Sequence, residues 1–210
     1  YEYEWADKYL IATFPSRHYD IELYPAVKRH LLSFGKERLE QTGKTYSING
    51  EKIKARKKTH NKWFETQDSI SYWEDFMRPK IIWKRIGSIL RFSYDTTGNL
   101  GLDSTCFATG QHMAYLCCIL NSLMGHYMFK DSPKTVTGDL LVSVQAIEPI
   151  LIPMNKDMEC LFENLLEEVL EHRSEETEKE INRLAFKLYD LSPAEINYIT
   201  DFVTQSQQSQ

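Results

Sequence analysis

The chain has 210 residues, of which 42% are hydrophobic and 12% aromatic, so it can bury a core and is not a disordered polyelectrolyte. No apolar run approaches the roughly 20 residues that span a bilayer, and the N-terminus lacks the cationic start of a signal peptide, which predicts a soluble, cytoplasmic protein without a membrane partner. The formal net charge of -5 hides two opposite regions: residues 28–91 hold sixteen Lys and Arg against seven Asp and Glu, and residues 148–201 hold five against fourteen.

The N-terminal part of the chain predicts a strand followed by a helix. The chain begins without Met and almost directly on a strand-like segment, which suggests a piece of a longer protein. The apolar run 8–14 predicts a buried strand, which ends at Pro15. Pro25 is preset for a first helical turn and opens a helix with one apolar face, which Gly35 then breaks.

The next segment carries most of the cations. Asn49-Gly50 is a strong turn signal and predicts a hairpin between two short strands. Asp68 is placed to cap a short helix over residues 69–76.

Three strands and a core helix are predicted next, over residues 80–86, 89–95, 102–109 and 111–129. The turn at Gly87-Ser88 makes the first two strands a hairpin, and the helix has a possible break near Asn121-Ser122. Residues 141–152 predict a last strand that Pro153 ends.

The chemistry of the sequence changes after Pro153. Residues 155–189 predict two acidic amphipathic helices, and the capping box from Ser192 to Glu195 opens a third, before a polar tail, residues 205–210, predicted to be disordered. Three partners remain open for the apolar stripe of these helices: their own neighbours, the preceding domain or another subunit. The fold prediction is therefore an α+β protein, with a curved mixed β-sheet in residues 1–153 and acidic helices over residues 154–204.

Catalytic and metal-binding motifs are absent from the sequence. The four Cys form no CxxC pair and predict reduced, buried thiols, and the six His show no metal-ligand spacing. No phosphate loop, dinucleotide fingerprint or nucleophile elbow is present. A nuclease would need paired carboxylates near a lysine, for which the candidates are Asp68, Glu74, Asp75 and Lys80, but no motif supports this arrangement.

Double-stranded DNA is the simplest partner for a basic loop interleaved with aromatic residues, because Lys and Arg neutralise phosphates while amides and arginines reach base edges. The alternative is a flexible, solvated hairpin tip. Trp63 and Trp73 are expected to pack under the loop rather than to stack on bases. The predicted phosphate contacts are Lys52, Lys54, Arg56, Lys57, Lys58, Lys62 and Lys84. The base-reading candidates are Asn61, Gln67, Arg78, Arg85 and Arg91.

A resemblance to a known family runs through most of residues 8–152. It is carried, in order and with similar spacing, by KYLIATFPSRHYDIELYPAVKRHLLSFGKERLEQTG, ARKKTHNKWFETQDSISYWEDFMRPKIIWKRI, LDSTCFATG and YLCCILNSLMGHYMF, with EINRLAFKLYDLSPAEINYI near the end. These blocks resemble the TaqI-like C-terminal specificity domain of adenine-specific DNA methyltransferases and of fused type IIG restriction-modification enzymes.

The resemblance implies that residues 1–153 are a DNA target recognition domain of a bacterial restriction-modification system. Such a domain grips the duplex, reads a short site and presents an adenine to the methyltransferase catalytic domain of the parent chain. That catalytic half binds S-adenosylmethionine and holds the flipped base in an NPPY-type motif. Neither feature appears here, so no cofactor and no catalysis are expected of this chain. The alternative function is a protein-interaction or assembly module acting through the acidic helices.

Overall fold

The computed structural model describes residues 1–208 and divides the chain into two compact units. The first unit, Ala6–Trp73, is the smaller one, and the second comprises Tyr1–Trp5 together with the chain from Glu74 onward. Both helices and strands are present, which confirms the α+β class. Within the described residues, no helix combines the length and apolar character needed to cross a bilayer.

The first unit is built from short elements. These are two 3-10 turns, Pro15–Arg17 and Ile21–Leu23, then α1 (Pro25–Leu32), α2 (Lys36–Leu39), β1 (Thr45–Ile48) and β2 (Glu51–Lys54). The helix predicted to open at Pro25 is confirmed.

The strand predicted over residues 8–14 is wrong. The Thr13 hydroxyl donates to the carbonyl oxygen of Phe64, and the Thr13 carbonyl oxygen accepts from the backbone N–H of Thr66, but no residue of the segment joins a strand ladder and Tyr9 is 86% exposed. An extended segment without a neighbouring strand edge has no ladder to join, so residues 8–14 remain irregular.

The hairpin of β1 and β2 confirms the predicted turn. The strands pair antiparallel, from Thr45 opposite Lys54 to Ile48 opposite Glu51. Asn49 and Gly50 have φ values of 51° and 85°, the left-handed conformation that a two-residue type I′ turn requires at both central positions. The ladder continues past the named strands, since the N–H of Ala55 donates to the carbonyl oxygen of Lys44 at 2.8 Å.

The helix predicted over residues 69–76 is largely wrong. Only a 3-10 helix forms, Trp73–Met77, where the chain passes from one unit to the other. Serines and a β-branched isoleucine fill residues 69–71, and these are weak helix formers.

The second unit combines small sheets with helices. Its strands are β3 (Lys80–Lys84), β4 (Ile86–Gly87), β5 (Phe92–Asp95), β6 (Thr105–Thr109) and β7 (Leu140–Leu141). Its helices are α3 (Met113–Asn121), α4 (Leu123–Met128), α5 (Val144–Ile147), α6 (Lys156–Glu171), α7 (Glu175–Leu188) and α8 (Pro193–Gln208).

The sheet differs from the single curved mixed sheet predicted for this region. In the described residues, β3 lies between β5 and β6, β4 pairs with β7, and both sheets are antiparallel. The strand predicted over residues 141–152 is also wrong, because only Leu140–Leu141 pairs before α5 begins. The predicted helix break is confirmed at Ser122, whose hydroxyl caps α4 by accepting from the N–H of Gly125.

One core joins the strands to the acidic helices. Phe92 of β5, Tyr115 of α3, Phe162 of α6 and Ile181 of α7 are all at most 1% exposed in the same cluster. The predicted domain boundary at residue 153 therefore does not coincide with a boundary between the compact units. The apolar stripes of α6 and α7 find their partner within this unit.

The last helix begins at the predicted capping box. The hydroxyl and backbone N–H of Ser192 both donate to Oε2 of Glu195, at 2.6 and 2.8 Å. Because α8 continues to Gln208, residues 205–208 of the predicted disordered tail are helical, and residues 209–210 lie outside the described part of the chain.

A buried ion pair holds the sheet of the second unit. Lys80 and Asp95 lie opposite each other on β3 and β5, both side chains are fully buried, and the ammonium also donates to the carbonyl oxygen of Phe76 at 2.7 Å. Desolvation raises the pKa of Asp95, but hydrogen bonds from Lys80, Thr97 and Tyr3 outweigh it and lower that pKa to about 2. The pair is a structural element of the core.

Candidate nucleic-acid interface

The two units carry opposite charges. Residues 6–73 hold thirteen Lys and Arg against eight Asp and Glu, a net charge of +5, and the rest of the chain holds twelve against twenty-two, a net charge of -10. A polyanionic partner is attracted to the first unit and repelled by the average field of the second. The candidate interface is therefore sought on the first unit.

The hairpin has one polar face and one anchored face. Residues directly opposite each other in a ladder share a face, so the register places four exposed residues together: Thr45, Ser47, Lys52 and Lys54. On the other face Tyr46 and Ile53 are half-buried, and the Tyr46 hydroxyl donates to Oε2 of Glu40 at 2.5 Å. Anchoring through Tyr46 leaves the polar face in solvent.

Arg56 holds the loop that follows the hairpin, which we call the basic loop (residues 55–68). Its Nε donates to the carbonyl oxygen of Leu39 at 2.7 Å, Nη1 to that of Glu65 at 3.1 Å, and Nη2 to that of Trp63. Burial lowers the pKa of the guanidinium. Since three of its N–H groups point into the protein, the arrangement does not support the predicted phosphate contact by Arg56.

Gln41 provides a second clamp on the basic loop. Its Nε2 donates to the carbonyl oxygens of Lys62 and Glu65, at 3.1 and 2.8 Å, and its Oε1 accepts from the Thr59 hydroxyl at 2.6 Å. Only 5% of Gln41 is exposed, so these buried polar groups satisfy one another. The loop is therefore bound to the body of the unit along most of its length.

Asn61 is used in the same way. Its Nδ2 donates to the carbonyl oxygens of Thr66 and Gln67, both at 3.0 Å, which closes the basic loop on itself. A bidentate contact with adenine needs one amide N–H for N7 and the amide oxygen for the N6 amino group, and both N–H groups of Asn61 are already engaged. Asn61 therefore fixes the conformation of the basic loop, and its base contact stays a prediction. Gln67 is half-buried beside it.

The lysines of the hairpin and the basic loop remain available. Lys52, Lys54, Lys57 and Lys58 are exposed, and none belongs to an ion pair within residues 1–208. Lys62 is also exposed and lies with Nζ 5.6 Å from the centroid of the Phe64 ring. Unpaired ammonium groups on a fixed backbone are suited to contact successive phosphates.

The tryptophans of the first unit pack against phenylalanines. Trp63 and Trp73 are half-buried, and each meets a phenylalanine edge-on: Phe64 at a centroid distance of 5.7 Å and Phe14 at 5.0 Å. This packing agrees with the structural role expected of both rings.

The remaining candidates belong to the second unit. Arg78, Lys84, Arg85 and Arg91 are exposed, and Nη1 of Arg78 lies 3.3 Å from Oδ1 of Asp75. Their DNA contacts stay predictions.

Two exposed residues of the hairpin and the basic loop, Lys44 and His60, were not among the predicted DNA contacts. Lys44 follows Gly43 at the base of the hairpin, and His60 projects between Thr59 and Asn61, whose side chains both turn inward. Their position within the basic run was the only sequence signal for either.

The suggested nuclease arrangement is not supported, because the Lys80 ammonium is fully buried against Asp95 and cannot reach a substrate. No group of three or more His, Cys, Asp or Glu in residues 1–208 is arranged to hold a metal ion. All four cysteines are free thiols, but Cys160 is exposed, so the expectation of buried thiols holds for Cys117 and Cys118 and is wrong for Cys160.

Comparison with known proteins identifies the family. The sequence matches no curated protein significantly. The model of the TaqI-like C-terminal specificity domain matches residues 26–148, which is 123 of the 210 residues and includes most of α1, the hairpin, the basic loop and both sheets of the second unit. The chain therefore belongs to the TaqI-like C-terminal specificity domain family, whose role is DNA recognition in restriction-modification enzymes.

Proposed function

We propose that this chain is the sequence-specific DNA recognition module of a restriction-modification adenine methyltransferase. It grips double-stranded DNA through the first unit and presents the target adenine to the catalytic domain of the parent protein. The observation that carries this proposal is the set of unpaired lysines, Lys52, Lys54, Lys57 and Lys58, on a hairpin and loop that buried hydrogen bonds hold in place.

A fixed loop lowers the entropic cost of binding. Arg56, Gln41 and Asn61 set the backbone of the basic loop before DNA arrives, so little chain entropy is lost on association. Each lysine that neutralises a phosphate releases condensed counterions, which makes the affinity fall steeply with salt.

Catalysis belongs to the parent protein in this proposal. S-adenosylmethionine binds the methyltransferase domain, a parent of the type IIG class carries a nuclease as well, and the assembly works in the bacterial cytoplasm. The chain itself contributes the grip on the duplex and the choice of site.

The assembly function receives less support. Its argument depended on the apolar stripes of α6 and α7 being free to dock on another protein, and Phe162, Leu166, Ile181 and Leu184 of those stripes are buried in the core of the second unit. The exposed acidic faces that remain are typical of solvated helices.

The test is fluorescence anisotropy of a randomised duplex pool at several salt concentrations, with sequencing of the bound fraction. We expect about a thousandfold loss of affinity between about 50 and 200 mM salt, and an enriched motif that contains adenine. The triple variant K54A/K57A/K58A should lower the slope of log K against log salt by about 1.8 where only Lys57 and Lys58 contact phosphates, and by about 2.7 where Lys54 does so too, at roughly 0.9 per lost phosphate contact.

The control is K134A/K156A/K187A, which removes the same charge from exposed positions of the second unit. Equal effects of the two triple variants would show that net charge alone governs binding. An unchanged slope in K54A/K57A/K58A would remove these lysines from the interface, and no binding by the natural chain at low salt would refute the proposed function.

A further inference from the structure

The polar face of the hairpin has the composition of a base-reading surface. Thr45 lies opposite Lys54, and Ser47 lies opposite Lys52, so each of these two cross-strand pairs combines one hydroxyl with one ammonium group. Glu51, the carboxylate of the hairpin strands, lies opposite Ile48 on the other face. The polar face thus offers donors to DNA without a negative charge among them.

The hairpin projects as a stiff ribbon. Nothing lies within 4 Å of the Cβ position at Gly50, and Asn49 beside it is exposed, so the tip stands free. At the base the ladder runs on to Gly43, whose N–H donates to the carbonyl oxygen of Arg56 at 2.9 Å, the residue that clamps the basic loop. With about five paired residues in each strand and a rise of about 3.4 Å per residue, the ribbon is roughly 17 Å long.

A two-stranded ribbon of this kind fits only one groove of B-DNA. The major groove is about 12 Å wide and admits such a ribbon, whereas the minor groove is about 6 Å wide. In the major groove Lys pairs with O6 and N7 of guanine, and Ser or Thr hydroxyls reach either donors or acceptors.

We infer that the hairpin enters the major groove and reads bases through Thr45, Ser47, Lys52 and Lys54, while Lys57 and Lys58 at its base hold phosphates. This inference rests on the proposed function and names the surface that reads the site. It also accounts for the engaged amide of Asn61, since base reading falls to the hairpin and Asn61 fixes the loop that supports it.

The experiment compares the motifs enriched by the full chain and by the single variants S47A, K52A and K44A. Lys44 is the matched control: it loses the same charge from the same hairpin, but it alternates with Thr45 and so belongs to the opposite face. Thermal unfolding verifies that each variant folds, and T45V serves as a second, isosteric change on the polar face.

We expect S47A and K52A each to lose preference at one or two positions of the motif and to bind the enriched duplex roughly five- to 150-fold more weakly. K44A should keep the motif. Replacing guanine by 7-deazaguanine at a position that K52A no longer selects should weaken the natural chain and leave K52A unaffected, because that analogue removes the N7 acceptor from the major groove.

Unchanged motifs in S47A, K52A and T45V, with selection intact in the natural chain, would overturn the inference and leave the proposed function standing. Insensitivity to 7-deazaguanine at every enriched guanine would overturn the major-groove placement. A natural chain that binds DNA without enriching any motif would overturn base reading by the hairpin, and one that does not bind would overturn both proposals.

Discussion

Replacing Arg56 by Ala distinguishes two possible roles of this residue: contact with a DNA phosphate and positioning of the basic loop. A phosphate contact would lower DNA affinity and the salt slope without affecting the fold. The structure instead predicts loss of stability, because the guanidinium donates to the carbonyl oxygens of Leu39, Trp63 and Glu65.

The expected cost follows from what each carbonyl loses. Glu65 keeps Gln41 as a donor at 2.8 Å, so its loss is small. The carbonyls of Leu39 and Trp63 each lose a charged donor, at roughly 1.5 kcal/mol apiece, which gives a loss of about 3 kcal/mol in the free energy of unfolding. Lysine at position 56 should recover less than half, because its ammonium cannot span carbonyls that a planar fork reaches together.

The assay combines urea unfolding, followed by tryptophan fluorescence, with hydrogen exchange of the amides in residues 55–68. R56A should unfold at lower urea and exchange faster throughout the basic loop. K57A, the neighbouring exposed cation, is the control and should change stability by less than about 0.5 kcal/mol while lowering the salt slope by about 0.9.

The opposite pattern would refute this reasoning. If R56A kept its unfolding midpoint and its exchange rates but lost the same salt slope as K57A, the guanidinium would face DNA and the clamp would contribute nothing.

Two further predictions concern the second unit. The folded pKa of Asp95, about 2, lies below its ordinary value of 3.8, so its ionised form stabilises the protein by about 2 kcal/mol above pH 4, and this contribution is lost as the pH falls from about 4 to 2. Urea unfolding measured at several pH values should show that dependence. The variant D95N leaves the Lys80 charge unpaired, so it should be less stable by about 3 to 5 kcal/mol at pH 7, and its free energy of unfolding should change less with pH below pH 4. Gly125→Ala should lower stability by more than about 2 kcal/mol, because a Cβ would lie 2.3 Å from the carbonyl oxygen of Ile119 and 2.4 Å from that of Leu120, and backbone cannot move aside cheaply. If Gly125→Ala melted at the same temperature as the natural chain, the expectation for Gly125 would be wrong. If the stability of D95N kept the pH dependence of the natural chain, the expectation for Asp95 would be wrong.

Features decided by neighbouring residues were predictable from the sequence. The Asn49-Gly50 turn, the capping box from Ser192 to Glu195 and the break at Ser122 each depend on conformations and hydrogen bonds within a few residues. The predicted strands over residues 8–14 and 141–152 failed for the complementary reason: an apolar run becomes a strand only where a free edge meets it, and that edge is set by distant parts of the chain.

The site shows the same division at the level of side chains. Sequence located the cationic segment correctly, but it could not tell which polar groups face outward. Arg56 and Asn61 look like DNA contacts because their chemistry suits bases and phosphates, and the carbonyls that engage them belong to residues up to 17 positions away.

Inward-facing polar residues nevertheless serve recognition. Discrimination between bases needs donors held at fixed positions, since a loosely held lysine neutralises any phosphate but rejects no base. In this chain the hydrogen bonds of Arg56, Gln41 and Tyr46 fix the backbone from which Ser47, Lys52 and Lys57 project. A substitution at a clamping residue should therefore weaken base preference at every position of the motif, whereas a substitution on the polar face of the hairpin should remove it at one position. This difference distinguishes positioning residues from reading residues in one selection experiment.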